Sequence, residues 1–487
     1  MKPYISKPSY DKHPDRMCLI AGLFGVRAAF LNDGARILEI GCGTGSDLIP
    51  IALGLPQCEF VGLDSSEEMI GIASAAIAQL GLKNIRFVQQ DITKLSSFGK
   101  FDYIIVHGML SWVQTHVQEN IFKFCAENLA DNGVCYISCN MLPGCEVRDF
   151  LRKEFKKIAD SITFDKLSDN QKIDELKKFL IGFAQHADDK AALHLPFQLA
   201  RLRAEAENML GQSDEYILYE MSLGAEAFFF QDLARIAKSF GLKYLGDSKL
   251  KRVGFLDALD FQDHIETGDE FVACCEQEAD LSRLEMFRAN LFCRSNTHVE
   301  RKPDLSVIEK CFFSTVLTYN EDNFGETFFF NPSGKRVEIK SPEVVRILKV
   351  LCQNWPHPVH YSVLSETHEI KFNSDVKLEL LELFKKEILD LYIVTPLQNT
   401  KDATTASQQN TAVAISPYAR LQLQTQNWAT NYRHEYVNFT SDEIKVAKLL
   451  DGNNSVQNIF EKLDKAIQLD KIEDIVLFLR ESAFIMP

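Results

Sequence analysis

The segment ILEIGCGTGSDLIP, residues 37–50, sets one carboxylate, Glu39, ahead of three glycines at alternate positions, Gly41, Gly43 and Gly45, with Cys42 between the first two. An apolar run enters this cluster and a helical pattern leaves it from about Ser46. Such glycines let a chain turn tightly and bring its backbone against a ligand at the mouth of a parallel sheet. Three ligand chemistries use a turn of this kind: a dinucleotide, a nucleoside triphosphate, or an adenosyl sulfonium that carries no phosphate. The dinucleotide pattern requires a glycine where Ser46 stands, and a phosphate-binding loop requires a Gly-Lys-Ser/Thr ending that is missing. Neither phosphate motif is complete, although a glycine turn can also serve a purely steric end.

Two carboxylates follow at informative distances. Asp64 closes CEFVGLD about twenty residues after the turn, where a carboxylate can accept hydrogen bonds from both ribose hydroxyls. Asp91, with Ile92 beside it, follows IRFVQQ at the place for an adenine edge and an apolar wall. Each has a plainer reading: Asp64 could cap the helix of SSEEMIGIA, and Asp91 could cap ITKL. His107 ends the apolar run FDYIIV and precedes Gly108; it is a candidate acceptor, a pocket wall, or a structural histidine.

The elements that must position these residues are strands alternating with helices. RILEI, CEFVGLD, IRFVQQD, FDYIIVHG and GVCYISCN read as strands, and VQENIFKFCAENLA as the helix before the last of them. FDYIIV is apolar enough for a strand buried on both faces. This alternation predicts an α/β, doubly wound, Rossmann-like sheet.

The motif E-x-G-x-G-x-G with Asp64 and Asp91 resembles the class I S-adenosylmethionine-dependent methyltransferases. A sulfonium cofactor without phosphate has no use for the glycine absent at position 46, and Glu39 falls near its amino end. The resemblance implies S-adenosylmethionine as cofactor, held by Glu39, Gly41, Cys42, Gly43, Gly45, Asp64, Ser65, Met69, Asp91, Ile92, His107 and Gly108. PYISKPSYDKHPDRM, HGMLSWVQ and SCNMLPGCEVRDF narrow it to the rickettsial-type protein lysine methyltransferases, as do DEYILYEMSLGAEAFFFQDLARIAKSFGLKYLGD, SPYARLQLQ and NYRHEYVNF. That family carries a methyltransferase regulatory region and modifies outer-membrane proteins. It implies an N-terminal arm over the cofactor bearing Tyr4, Tyr10 and His13, and a homodimer. The chain departs from the family at Leu110, Gln114, Cys139, Cys145 and Tyr219, where the family has an aromatic residue, proline, tyrosine, tryptophan and histidine.

Lysine methylation faces a protonation problem, because with a pKa near 10.4 only about one amine in a thousand is neutral at physiological pH. A dry channel lowers that pKa and an acceptor orients the lone pair. The candidates for this chemistry are His107, Trp112 as channel wall, Asn140 at the end of the fifth strand, and Tyr10. Trp112 could equally be core, and the arm residues could be packing. Two other readings stay open: methylation of a small molecule, and an interaction protein that binds cofactor without turnover.

A chain of 487 residues exceeds one ordinary core. The expected organisation is a cofactor-binding core over 1–145, a helical insertion over 146–224 as the possible dimerisation region, and the end of the core with the regulatory region over 225–295. Beyond it come a middle, possibly winged-helix-like domain over 296–398, a polar linker over 399–415 and a small α-rich domain over 416–487, so that both C-terminal domains are helix-rich. A net charge of −15 argues against a nucleic-acid partner. The 12 cysteines form no C-x-x-C pair, which points away from a metal site or disulfide framework and suits a reducing cytoplasm. MKPYISKPSY lacks an apolar leader, and MCLIAGLFGVRAAFL is too short to span a bilayer, so the chain is expected not to be membrane-embedded.

Overall fold

The computed structural model describes residues 7–95, 98–185, 196–222, 225–253, 268–323, 325–395 and 412–485. Tyr4 and most of the expected linker lie outside these residues.

The sheet begins with β1 (Arg36–Ile40), β2 (Glu59–Asp64), β3 (Ile85–Gln89), β4 (Phe101–Val106) and β5 (Leu129–Met141). It is completed by β6 (Ala227–Phe228), β7 (Leu242–Asp247) and β8 (Phe287–Arg294). The order is β3-β2-β1-β4-β5-β8-β7, with β6 paired to β5. The first five strands are parallel, while β8 runs antiparallel to both β5 and β7. Of the two long strands contributed by residues 225–295, β7 lies at the sheet edge and β8 is threaded between β5 and β7.

Helix α1 (Pro14–Leu23) precedes the sheet, and α2 (Leu48–Gly54), α3 (Glu67–Leu80) and α4 (Thr115–Asn128) connect its strands. At the entrance of α1, Pro14 occupies the first turn and His13 Nδ1 accepts the Asp15 N–H at 3.1 Å. After β5 the chain leaves the sheet through α5 (Glu146–Ser161) and further helices over Asp169–Gln185, Pro196–Leu210 and Asp214–Ser222. This insertion has its own apolar core, including Leu151, Phe155, Leu176, Leu180 and Ile217. The helix Phe230–Ser239 runs into β7, and a further helix, Asp269–Arg283, leads into β8.

The middle part was expected to be a separate helix-rich domain. Its helices Pro342–Asn354 and Asp-containing Ser374–Lys385 are joined by two three-stranded sheets, and its apolar residues continue the core of the main sheet. The final module has a core of its own, with the hairpin Trp428–Thr430 and Tyr436–Asn438 among its elements.

Alternation along β8 places Phe287 and Arg288 on opposite faces. Arg288 is wholly buried and meets Glu276, Asp280 (3.2 Å), Asp247 (3.5 Å) and the Tyr244 hydroxyl (2.8 Å). Burial, with Glu276 adding to it, outweighs the attraction of Arg288 and lifts the Asp280 carboxyl to about 7. Among the described residues, no helix is long and apolar enough to cross a membrane.

Candidate active site

The strand order changes direction between β1 and β4, and there two adjoining cavities of about 680 and 380 Å³ share the walls Gly41, Asp64, His107 and Gly108. Such a switch point is the ordinary ligand crevice of an open α/β sheet.

The glycine turn is stitched to the end of β2. The N–H groups of Gly41 and Cys42 both donate to the Leu63 carbonyl, at 2.7 and 3.0 Å. Gly41, Cys42 and Gly43 line the larger cavity. Gly45 instead lies behind the turn, where its φ of 73° and the approach of Phe87, 2.4 Å from any added Cβ, demand glycine.

Asp64 faces both cavities. Its two carboxylate oxygens accept the N–H of Ser66 and the N–H of Gly43, each at 2.9 Å. The cap of α3 is Ser66, whose hydroxyl accepts the Met69 N–H at 3.3 Å, so the capping role does not fall to Asp64. Each Asp64 oxygen keeps a further lone pair, as a ribose diol requires. Asp91 does cap its short helix, accepting from the backbone and hydroxyl of Thr93 at 3.0 and 2.8 Å. It also lines the smaller cavity, together with Ser65 and Ile92. Met69 projects from α3 into the larger one.

Glu39 is 3% exposed, and its Oε2 has no hydrogen-bond partner. Burial, and then the nearby Asp47 carboxylate, push its pKa well up, against the pull of Lys12. A buried carboxylate oxygen without a partner, on the wall of a cavity, fits a ligand ammonium group. Asp47, at the exit of the turn, is ion-paired to buried Lys12 at 2.6 Å. Burial alone would raise the Asp47 carboxyl, but Lys12 and His434 hold it at about 2.

His107 is fixed by Ser138 Oγ at 3.1 Å and the Tyr136 hydroxyl at 3.2 Å, both against Nδ1. Ser138 Oγ also accepts the Gly108 N–H at 2.9 Å, which ties the ring to the backbone after β4. Burial, reinforced by Lys12, drops the imidazole to about 3. The ring is therefore neutral at physiological pH and adds no positive charge beside a bound cation.

Asn140 ends the β5 wall of the larger cavity; it is 9% exposed, and its amide nitrogen lacks a partner. Trp112 also faces this cavity, with its ring 4.8 Å from Tyr219 and the Arg152 guanidinium 5.3 Å above it. The far wall belongs to the insertion and was not anticipated: Arg148, Tyr216, Tyr219 and Glu220. Their signal was present, since Tyr216, Tyr219 and Glu220 have the i, i+3, i+4 spacing of one helix face. Glu220 is held by Arg152 at 2.6 Å and Arg148 at 3.2 Å.

Tyr10 and His13 are not among the residues lining either cavity. Their rings stack at 4.7 Å, the Tyr10 hydroxyl donates to Asp15 at 2.6 Å, and both face a separate hollow beside the final module. The family departures divide similarly: Leu110, Cys139 and Cys145 are buried and do not line the cavity, whereas Tyr219 does. Cys139 and Asn140 alternate along β5, so the cysteine faces away when the asparagine faces in.

Comparison with known proteins identifies the family and the fold. Residues 31–200 match the model of a methyltransferase domain, and 414–473 that of the PKMT C-terminal winged helix domain. The winged-helix match thus falls on the last module and not on the middle one. An uncharacterized protein of Rickettsia prowazekii is 29% identical over 95% of this chain and 84% of its own. A second from the same organism is 30% identical over 48% of this chain and 92% of its own. Among solved structures, PKMT2 from Rickettsia typhi in complex with AdoHcy superposes with a TM-score of 0.81 at 20% identity, covering both chains completely.

Proposed function

The chain belongs to a methyltransferase family and carries a PKMT-type winged helix domain over 414–473, and from that premise we propose that it moves the methyl group of S-adenosylmethionine to lysine amines of a protein substrate. The cofactor is S-adenosylmethionine, which when bound supplies an electrophilic methyl on a sulfonium. Asp64 would hold the ribose hydroxyls, Glu39 the amino group, and Asp91 with Ile92 the adenine edge and face.

The observation that carries the reading is the continuation of the larger cavity from Glu39 and Asp64 to a wall of Trp112, Tyr219, Phe287 and Glu220. Aromatic faces and a carboxylate suit an aliphatic chain ending in an amine. Desolvation against the aromatic faces would favour the neutral, nucleophilic amine, and the pairing of Glu220 with Arg148 and Arg152 offsets the pull of its carboxylate towards the protonated form. Asn140, on the wall of the same cavity, would offer its side-chain carbonyl to an amine N–H and leave the nitrogen lone pair free. The resemblance to enzymes acting on outer-membrane proteins suggests a bacterial surface protein as substrate, and a homodimer as the working form.

Incubation with methyl-tritiated cofactor and cell-envelope extract, followed by mass spectrometry of labelled peptides, tests this. Methylated lysines are expected; label confined to small molecules would reject the protein substrate. Asn140→Ala should lower kcat about tenfold, the effect of one lost hydrogen bond, with S-adenosylhomocysteine affinity unchanged. An equal loss of affinity would instead place Asn140 against the cofactor.

A further inference from the structure

The last module reaches the cofactor crevice through the tip of its hairpin. Asn431 shapes that tip: its side-chain oxygen accepts the N–H groups of Arg433 and Glu435, at 3.0 and 2.8 Å, and its amide donates to the Ser482 carbonyl at 3.0 Å. The turn drives His434 into the left-handed region, with φ of 60°. Two consecutive side chains then grip different parts of the molecule. Arg433 pairs with Asp390 at 2.7 Å, donates to Ser314 at 3.1 Å and stacks 4.4 Å above Trp355, all in the middle part. His434, 4% exposed, places Nε2 3.3 Å from Asp47 Oδ1, while Lys12 holds Oδ2 of the same carboxylate. His13 lies edge-on to His434 at 5.4 Å. Asp47 is two residues beyond Gly45 and lines the larger cavity beside Ser46 and Glu39.

We propose that the winged-helix module is a working part of the cofactor site, with His434 a positioning residue that acts through Asp47 to hold the exit of the glycine turn. This rests on the cofactor reading above and adds a coupling to it. Holding the turn in its binding form strengthens cofactor binding, and by reciprocity bound cofactor strengthens docking of the hairpin. A partner that draws the module away would release cofactor.

His434→Asn is the appropriate variant. Asparagine tolerates positive φ, so the turn is kept, but its shorter side chain falls short of Asp47. His434→Gln places an amide where Nε2 stood. Titration of the full chain with S-adenosylhomocysteine should show Kd raised about tenfold for His434→Asn, as expected for one lost charge-assisted hydrogen bond, and largely recovered in His434→Gln. Amide exchange at residues 41–47 should quicken in the unliganded His434→Asn protein. If that variant lacks a folding transition, His434→Gly, which adopts the same φ freely, is measured in its place. A lowered melting temperature with unchanged Kd and unchanged exchange at 41–47 would overturn the proposal alone. A wild-type protein that binds no S-adenosylhomocysteine would overturn the cofactor reading with it.

Discussion

Asp64→Ala is expected to weaken S-adenosylhomocysteine binding at least about a hundredfold, because it removes two charge-assisted hydrogen bonds to the ribose, each worth about 1.5–3 kcal/mol. The same substitution takes an acceptor from the Gly43 N–H, so part of the loss comes from a looser turn. The fold should survive: Ser66 and not Asp64 caps α3, and the carboxylate stands at the mouth of the sheet. Calorimetric titration beside a melting curve without ligand separates the terms. Intact affinity with a lowered melting temperature would confine Asp64 to the turn and sink its ribose role.

Arg288→Met should cost about 3–5 kcal/mol of stability, read from urea unfolding, because it strands buried carboxylates that share one cation. The cluster also gives the protein a pH dependence with a definite sign. The Asp280 pKa is raised to about 7 in the folded state, so the folded chain holds a proton there that the unfolded chain releases near its ordinary value of about 4. Its contribution is complete below about pH 4 and lost as the pH rises through 7. Asp280→Asn carries no such proton, so its stability should fall less between pH 5 and pH 8 than that of the wild type. Equal slopes would show that another group holds the proton.

The cofactor half of the crevice was legible because its signals are local. A strand, three glycines and a carboxylate at the end of the next strand lie within about thirty residues, and β1 falls where RILEI ends. Of the other half, Trp112 and Asn140 were named from the sequence, but the helical wall was not, because its residues meet the sheet only in three dimensions. Glu220 and Tyr216 lie in a helical insertion whose pattern announced an apolar stripe but not the surface it would face. His434 reads as a loop residue near the end of the chain, nearly four hundred residues from its partner Asp47. The placement of β8 inside the sheet was equally hidden, since an apolar strand suits an interior position as well as an edge. The arm residues Tyr10 and His13 show the converse: the resemblance put them over the cofactor, whereas their ring contacts set Tyr10 against Tyr392 of the middle part and His13 against His434 of the final module.

The insertion that supplies Tyr219 and Glu220 packs around its own apolar core, whereas Glu39, Asp64 and the glycine turn stand on the sheet. The two walls of one cavity therefore answer to different folding units. On the proposed reading, substitutions in the helical wall would redraw the acceptor-facing surface while the residues facing the methyl donor stay in place. Grafting the insertion onto a related sheet would then carry acceptor preference with it, and an unchanged preference would reject that assignment.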